Sequence, residues 1–104
     1  MNLFEIYITY VSWGTDGKNR PVLIYDEING MVTFNPITTK FKNKSAAVKS
    51  QFFKINDWKA AGLTSESYVD TGTLLELPKS AFRNNAIGKL TESDKNALLK
   101  FLSK

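Results

Sequence analysis

The sequence predicts a mainly β domain with α additions, a small curled sheet or barrel that carries a C-terminal helix. Three observations predict it. The run from Phe4 to Val11 is built of aromatic and β-branched residues in alternation. Asn29-Gly30 stands between two apolar runs, where a two-residue type I′ turn needs φ > 0 at both positions. Near the end, Ala97, Leu98, Phe101 and Leu102 form one apolar stripe at helical spacing. With 104 residues the chain has the size of one domain, taken as residues 1–104.

The elements follow in order. Phe4 to Val11 reads as the first strand. Residues 13–19 read as a loop, because two glycines, an Asp and an Asn supply turn chemistry. Pro21 suits the start of an edge strand, and Val22 to Tyr25 forms the second strand. Met31 to Asn35 returns antiparallel to it. Thr38 to Ser50 is polar and basic, with a helical turn expected within Lys44 to Lys49. Phe52 to Ile55 is a short strand. Asp57 is placed to cap a short helix, Trp58 to Ala61, that Gly62 ends. Ser67 to Val69 and Thr73 to Leu77 are two further strands, parted near Gly72 and stopped at Pro78. Thr91 then caps the terminal helix, with Asp94 where a capping box has Glu or Gln. Phe34, Phe52, Phe53, Trp58 and Phe101 are the aromatic core candidates.

Composition removes several kinds of chemistry. Cysteine and histidine are both absent. Disulfide frameworks, thiolate zinc sites, cysteine nucleophiles and Ser-His-Asp triads are therefore excluded. No apolar run is long enough to span a membrane. The start, Met1-Asn2-Leu3-Phe4-Glu5, lacks the pattern of a signal peptide, so a cytoplasmic protein is expected. The net charge is +4, and the pI of about 9.4 favours an anionic partner. Lys40, Lys42, Lys44, Lys49 and Lys54 share one segment without an acidic residue. That segment is either a contact surface or a solvated lysine loop.

The feature with most chemical content is a pair of strand ends. Arg20, one of only two arginines, opens Arg20-Pro21-Val22-Leu23-Ile24. A strand later comes Asn35-Pro36-Ile37-Thr38-Thr39-Lys40. If the strands pair, a guanidinium and two hydroxyls meet at one end of the sheet, as a phosphate site requires.

These motifs resemble the MazF/PemK family of toxin endoribonucleases. The matching segments are Arg20-Pro21-Val22-Leu23-Ile24 and Pro36-Ile37-Thr38-Thr39, then Gly62-Leu63 leading to Ser67-Tyr68-Val69. Ile87-Gly88-Lys89-Leu90-Thr91 before the terminal helix completes the set. The likeness runs from about Trp13 to Leu102. It implies an SH3-like barrel, a homodimer, metal-free cleavage of single-stranded RNA, no cofactor, and inhibition by a cognate antitoxin. It places Arg20 on the catalytic arginine, Thr38 on the hydroxyl residue and Thr39 on the Ser or Thr that follows. The chain departs from the pattern in lacking the Gly-Asp start. It has no clear copy of the glutamate before Arg20. It carries no arginine on the strand Tyr68-Val69-Asp70.

Metal-free cleavage lets the ribose 2′-OH attack its own phosphate, which needs a base, an acid and charge stabilisation. Arg20 is assigned to the charge, with an ordinary surface arginine at a strand end as the alternative; an acid role suits it poorly, since an arginine pKa lies above about 12. Thr38 hydrogen-bonds the phosphate or orients Arg20, or else it is a turn residue after Pro36. Asp16 and Asp70 are the candidate bases, with an ordinary turn carboxylate as the alternative for each. Asp70 also suits a partner that holds Arg20 in place. Lys18, Asn19, Thr39, Lys40 and Lys42 are candidate substrate contacts. Phe41 and Trp13 offer faces for unpaired bases, with core packing the alternative for Trp13. The rival to a nuclease is a non-catalytic SH3-like module that binds protein or nucleic acid. A DNA-binding barrel has less support, since no recognition-helix pattern is present.

Overall fold

The computed structural model describes residues 1–13 and 15–103, Trp13 through its backbone alone. Seven strands form one antiparallel sheet: β1 Glu5–Trp13, β2 Asp16–Ile28, β3 Met31–Thr38, β4 Phe52–Ile55, β5 Ser67–Asp70, β6 Leu75–Pro78 and β7 Gly88–Lys89. Among the described residues the α-helices are α1 Ala46–Lys49 and α2 Glu92–Leu102, and a 3-10 turn spans Lys79–Ala81. The strand order is β4-β5-β3-β2-β1-β7, and β6 also pairs with β3. The expected mainly β fold with a C-terminal helix is the observed one.

β1 and β2 build a long ribbon that pairs from Ile6↔Leu23 to Trp13↔Asp16. The expected loop over residues 13–19 is thus mostly strand. Val11 is buried with Val22, Ile24, Val32 and Phe34, and this packing holds the far half of β1 against β2. Burial overrides the turn preference of Gly17 and Asn19. Pro21 is accordingly interior to β2, not at its start. At the other end of β2, Asn29 and Gly30 take φ of 51° and 80°, as a type I′ turn demands.

β3 changes partners along its length. Met31 to Phe34 pairs with β6, while Ile37 and Thr38 pair with Val69 and Tyr68 of β5. Its hydrogen-bonded pairing with β2 ends at Val22↔Pro36. Pro21, the next residue of β2, has no N–H to donate. Beyond that pair the two strands part.

The sheet buries apolar side chains on both faces. One face carries Ile6, Leu23, Ile37, Phe53, Ile55, Val69 and the α2 residue Leu98. The other carries the Val11 cluster. Phe34, Phe52 and Phe53 are buried, and Trp58 and Phe101 pack partly buried against the first cluster. Leu102, expected in the helix stripe, is instead 46% exposed.

The segment after β4 is a series of turns, not the expected short helix. Asp57 does not cap it with its side chain. Its carboxylate accepts from Thr91 Oγ1 at 2.8 Å. Asp94, fully buried on α2, accepts the backbone N–H groups of Asn56 at 3.1 Å and Asp57 at 2.7 Å. Thr91 Oγ1 accepts from the Asp94 N–H at 3.2 Å, the expected N-cap. Asp94 therefore ties the helix to the β4 turn and does not close a reciprocal capping box.

Two of the sequence motifs meet back to back. Gly62 has φ +92°, and a Cβ there would lie 2.3 Å from the carbonyl oxygen of Ile87. A Cβ on Gly88 would lie 2.0 Å from the carbonyl oxygen of Ala61. Backbone contacts backbone there, which only glycine permits.

Candidate functional site

The parting of β2 and β3 creates the site. Pairing past Val22↔Pro36 would put Arg20 opposite Thr38, so both project from the same face of the sheet. An open cavity of about 150 Å³ occupies the gap. Its walls are Lys18 to Pro21 on one side, Ile37 to Lys40 on the other, and Ser67 beneath. At ~30 Å³ for each water, this is room for roughly five waters, the scale of a phosphate group.

Each wall is positioned by local structure. Arg20 is half-buried and pairs across β1 with the buried Thr9. Thr38 lies opposite Tyr68 of β5. Its Oγ1 accepts the Lys40 N–H at 3.1 Å, which turns the chain out of β3 and carries Lys40 back to the cavity rim. Lys18, Arg20 and Lys40 place three cations around the gap, and no carboxylate belongs to its described lining. A guanidinium flanked by ammonium groups and hydroxyls binds a phosphate diester and stabilises the added charge of a phosphorane.

The structure gathers Lys18, Asn19, Arg20, Thr38, Thr39 and Lys40 in one cavity. It does not gather the two candidate bases with them. Asp16 lies at the tip of the β1–β2 ribbon, four residues from Arg20 and thus about 13 Å away along the strand. Asp70 is committed to its own turn. Its Oδ1 accepts the Gly72 N–H at 3.0 Å and its Oδ2 accepts from Thr73 Oγ1 at 2.7 Å. Asp70 is thus a turn carboxylate here rather than a partner of Arg20. The side chain of Trp13 lies outside the described residues.

A second, larger cavity of about 580 Å³ adjoins the first and shares Thr39 and Lys40 with it. Phe41, Lys42, Asn43, Lys44, Glu66 and Tyr68 complete it. Phe41 stacks on Tyr68 with ring centroids 4.3 Å apart and planes 4° from parallel. The Lys49 ammonium lies 5.1 Å from the Phe41 centroid. Tyr68 donates its hydroxyl to Glu66 Oε1 at 3.0 Å, and Lys54 Nζ lies 3.4 Å from the same oxygen. The Tyr68 hydroxyl and the Lys54 ammonium hold the Glu66 carboxyl below the usual glutamate range.

The residues not anticipated are Ser67, Glu66 and Tyr68. They arrive on β5 and the turn before it, thirty residues from Thr38. No local spacing signals that pairing.

Among solved structures the chain is similar to the Mycobacterium tuberculosis toxin MazF-mt6. The two share 24% identity over 95% of this chain and 92% of that one, with a TM-score of 0.72. It is also similar to an Mtb toxin at 25% identity, over 81% of this chain and 89% of that one, with a TM-score of 0.63. No protein-family model and no curated protein sequence matches the chain. The fold is that of the MazF toxins, as the sequence motifs implied.

Proposed function

We propose that this MazF-fold chain is a toxin-type endoribonuclease. It cuts single-stranded RNA by attack of a ribose 2′-OH on the adjacent phosphate, without a metal, and a cognate antitoxin restrains it. One observation carries the reading: Arg20 and Thr38 line one open, cationic cavity of phosphate size at the parting of β2 and β3.

In this mechanism the Arg20 guanidinium takes the non-bridging phosphate oxygens as a fork and holds the charge of the phosphorane. Lys18 and Lys40 add field strength at the same linkage. Thr38 fixes the start of the Lys40 loop through its hydroxyl. Thr39 and Asn19 line the same opening and contact the backbone on either side. Lys42 stands farther along the substrate path, in the larger cavity. The homodimer and the cytoplasmic location belong to this reading through the toxin likeness.

A second reading is favoured by one feature. The described lining of the Arg20 cavity contains no carboxylate. A non-catalytic module that holds an RNA phosphate needs only the cations and hydroxyls that are present.

Purified protein incubated with a mixed-sequence RNA in EDTA separates the two. Discrete cuts that vanish in Arg20→Ala are the expected result. Intact RNA after incubation with folded, antitoxin-free protein, together with salt-sensitive RNA binding, would establish the binding module.

A further inference from the structure

The larger cavity has a composition unlike a plain phosphate groove. Beside its lysines it holds a parallel aromatic pair, Phe41 and Tyr68, and a single carboxylate, Glu66. Tyr68 is the direct cross-strand neighbour of Thr38. Directly paired side chains have Cβ atoms about 5 Å apart. The aromatic pair therefore stands one strand from the wall of the Arg20 cavity, about the span of a ribose. At about 580 Å³ the space falls within the usual range for a small-molecule site.

Glu66 has a defined geometry at the rim. Tyr68 and Lys54 both engage its Oε1. Its Oε2 has no hydrogen bond or ion pair among the described residues. An ionised carboxylate only accepts, so Oε2 is an acceptor presented beside a stacking platform. Cytosine and adenine carry an exocyclic amine that donates to such an oxygen. Uracil has carbonyl oxygens in the corresponding places, and these repel a carboxylate.

We propose that this second cavity seats the base next to the scissile linkage. Tyr68, backed by the stacked ring of Phe41, is its stacking face, and Glu66 Oε2 selects an amine-bearing base over uracil. The proposal rests on the reading that the Arg20 cavity holds an RNA phosphate. It adds Tyr68 and Glu66 as specificity-determining residues.

The test uses 2′-O-methyl pentanucleotides of adenine, cytosine and uracil, which cannot be cut by 2′-OH attack. Affinities are measured at one salt concentration for the wild type, Glu66→Ala, Tyr68→Ala and Tyr68→Phe, each shown folded by circular dichroism. The wild type is expected to bind the adenine and cytosine oligomers about tenfold tighter than uracil, the scale of one hydrogen bond to a charged acceptor. Glu66→Ala should erase that preference. Tyr68→Ala should weaken all three oligomers by about tenfold or more, the loss of one stacked base. Tyr68→Phe should retain the stacking affinity. An unchanged preference in Glu66→Ala overturns the proposal, as does failure of the wild type to bind any oligomer. Selective binding by a protein that leaves ribose RNA intact overturns the nuclease reading and leaves the base site standing.

Discussion

Arg20 on β2 and Thr38 on β3 flank the same cavity although their strands are no longer hydrogen-bonded there. The last paired residues, Val22 and Pro36, lie two after Arg20 and two before Thr38. Pro21 has no N–H to offer where the ladder would continue, and the opening there is where the cations collect. A phosphate held there meets the guanidinium of a half-buried arginine.

Loss of the Arg20 guanidinium should be the most damaging single change to cleavage. Arg20→Ala is expected to lower the cleavage rate by about 10²–10³, the scale of one lost oxyanion donor. Arg20→Lys keeps the charge but not the fork, so its rate should fall between the two. Initial rates on a fluorescent RNA measure both. Equal rates for Arg20→Ala and the wild type would remove Arg20 from the mechanism.

Thr38 acts through the loop that follows it. Thr38→Val removes the acceptor for the Lys40 N–H. Stability should fall by about 0.5–1 kcal/mol, the net value of one ordinary hydrogen bond. The cleavage rate should fall more than that loss implies, because Lys40 leaves the cavity rim. Thr38→Ser, which keeps the hydroxyl, should restore the rate. A rate that follows side-chain volume instead of the hydroxyl would contradict this role.

Binding of single-stranded RNA should weaken steeply with salt. Each phosphate contact contributes a slope of about −0.7 in log K against log salt for a single strand. Replacing Lys40 and Lys42 together by Gln should therefore flatten the slope by about 1.4. Both lysines line the larger cavity. A double variant with an unaltered slope would show that RNA does not run past them.

Much of this was legible in the chain. The hairpin at Asn29-Gly30, the strand Phe52 to Ile55 and the Thr91 cap follow from local chemistry, and the structure has them at those residues. The meeting of the Arg20 and Thr38 segments was legible in outline only: the register of the Asn29-Gly30 turn would set Arg20 opposite Thr39, and a bulge between Ile24 and Asp26 shifts the pairing by one residue to Thr38. What failed depends on distant packing. Residues 16–19 carry turn chemistry, yet the buried Val11 cluster holds them in β2. Asp70 is a turn carboxylate, the alternative the sequence held for it, with both oxygens taken at Gly72 and Thr73. Tyr68 and Glu66 come to the site on a strand whose partner in β3 lies thirty residues upstream. Asp94 resembled half of a capping box, and its true partners lie near residue 56.

The Glu66 carboxyl should titrate below an ordinary glutamate. The Tyr68 hydroxyl and then the Lys54 ammonium favour its ionised form. A depressed folded pKa means that these contacts add stability above the usual glutamate range. That stability is lost as pH falls through the folded value. Carboxyl-detected NMR of Glu66 should show the low midpoint in the wild type and a higher one in Tyr68→Phe. A midpoint that Tyr68→Phe leaves in place would show that the hydroxyl does not act on this carboxylate.

Asp94 joins helix α2 to the turn after β4 by polar contact. It is buried, and its two oxygens take the N–H groups of Asn56 and Asp57. Asp94→Asn keeps the shape but turns an NH₂ toward one of those donors. The loss should be about 1–3 kcal/mol, or a Tm lower by roughly 4–8 °C per kcal/mol in a domain of this size. Asp94→Ala should cost at least as much, since both N–H groups lose their acceptor. The Thr91 cap remains in both variants, so the helix itself persists and its docking weakens. Differential scanning calorimetry, with cleavage measured well below the transition, separates the effects. Stability should drop while the rate at low temperature stays near wild type, because α2 does not line the Arg20 cavity. A variant with unchanged Tm would mean that water replaces the carboxylate at both donors without cost.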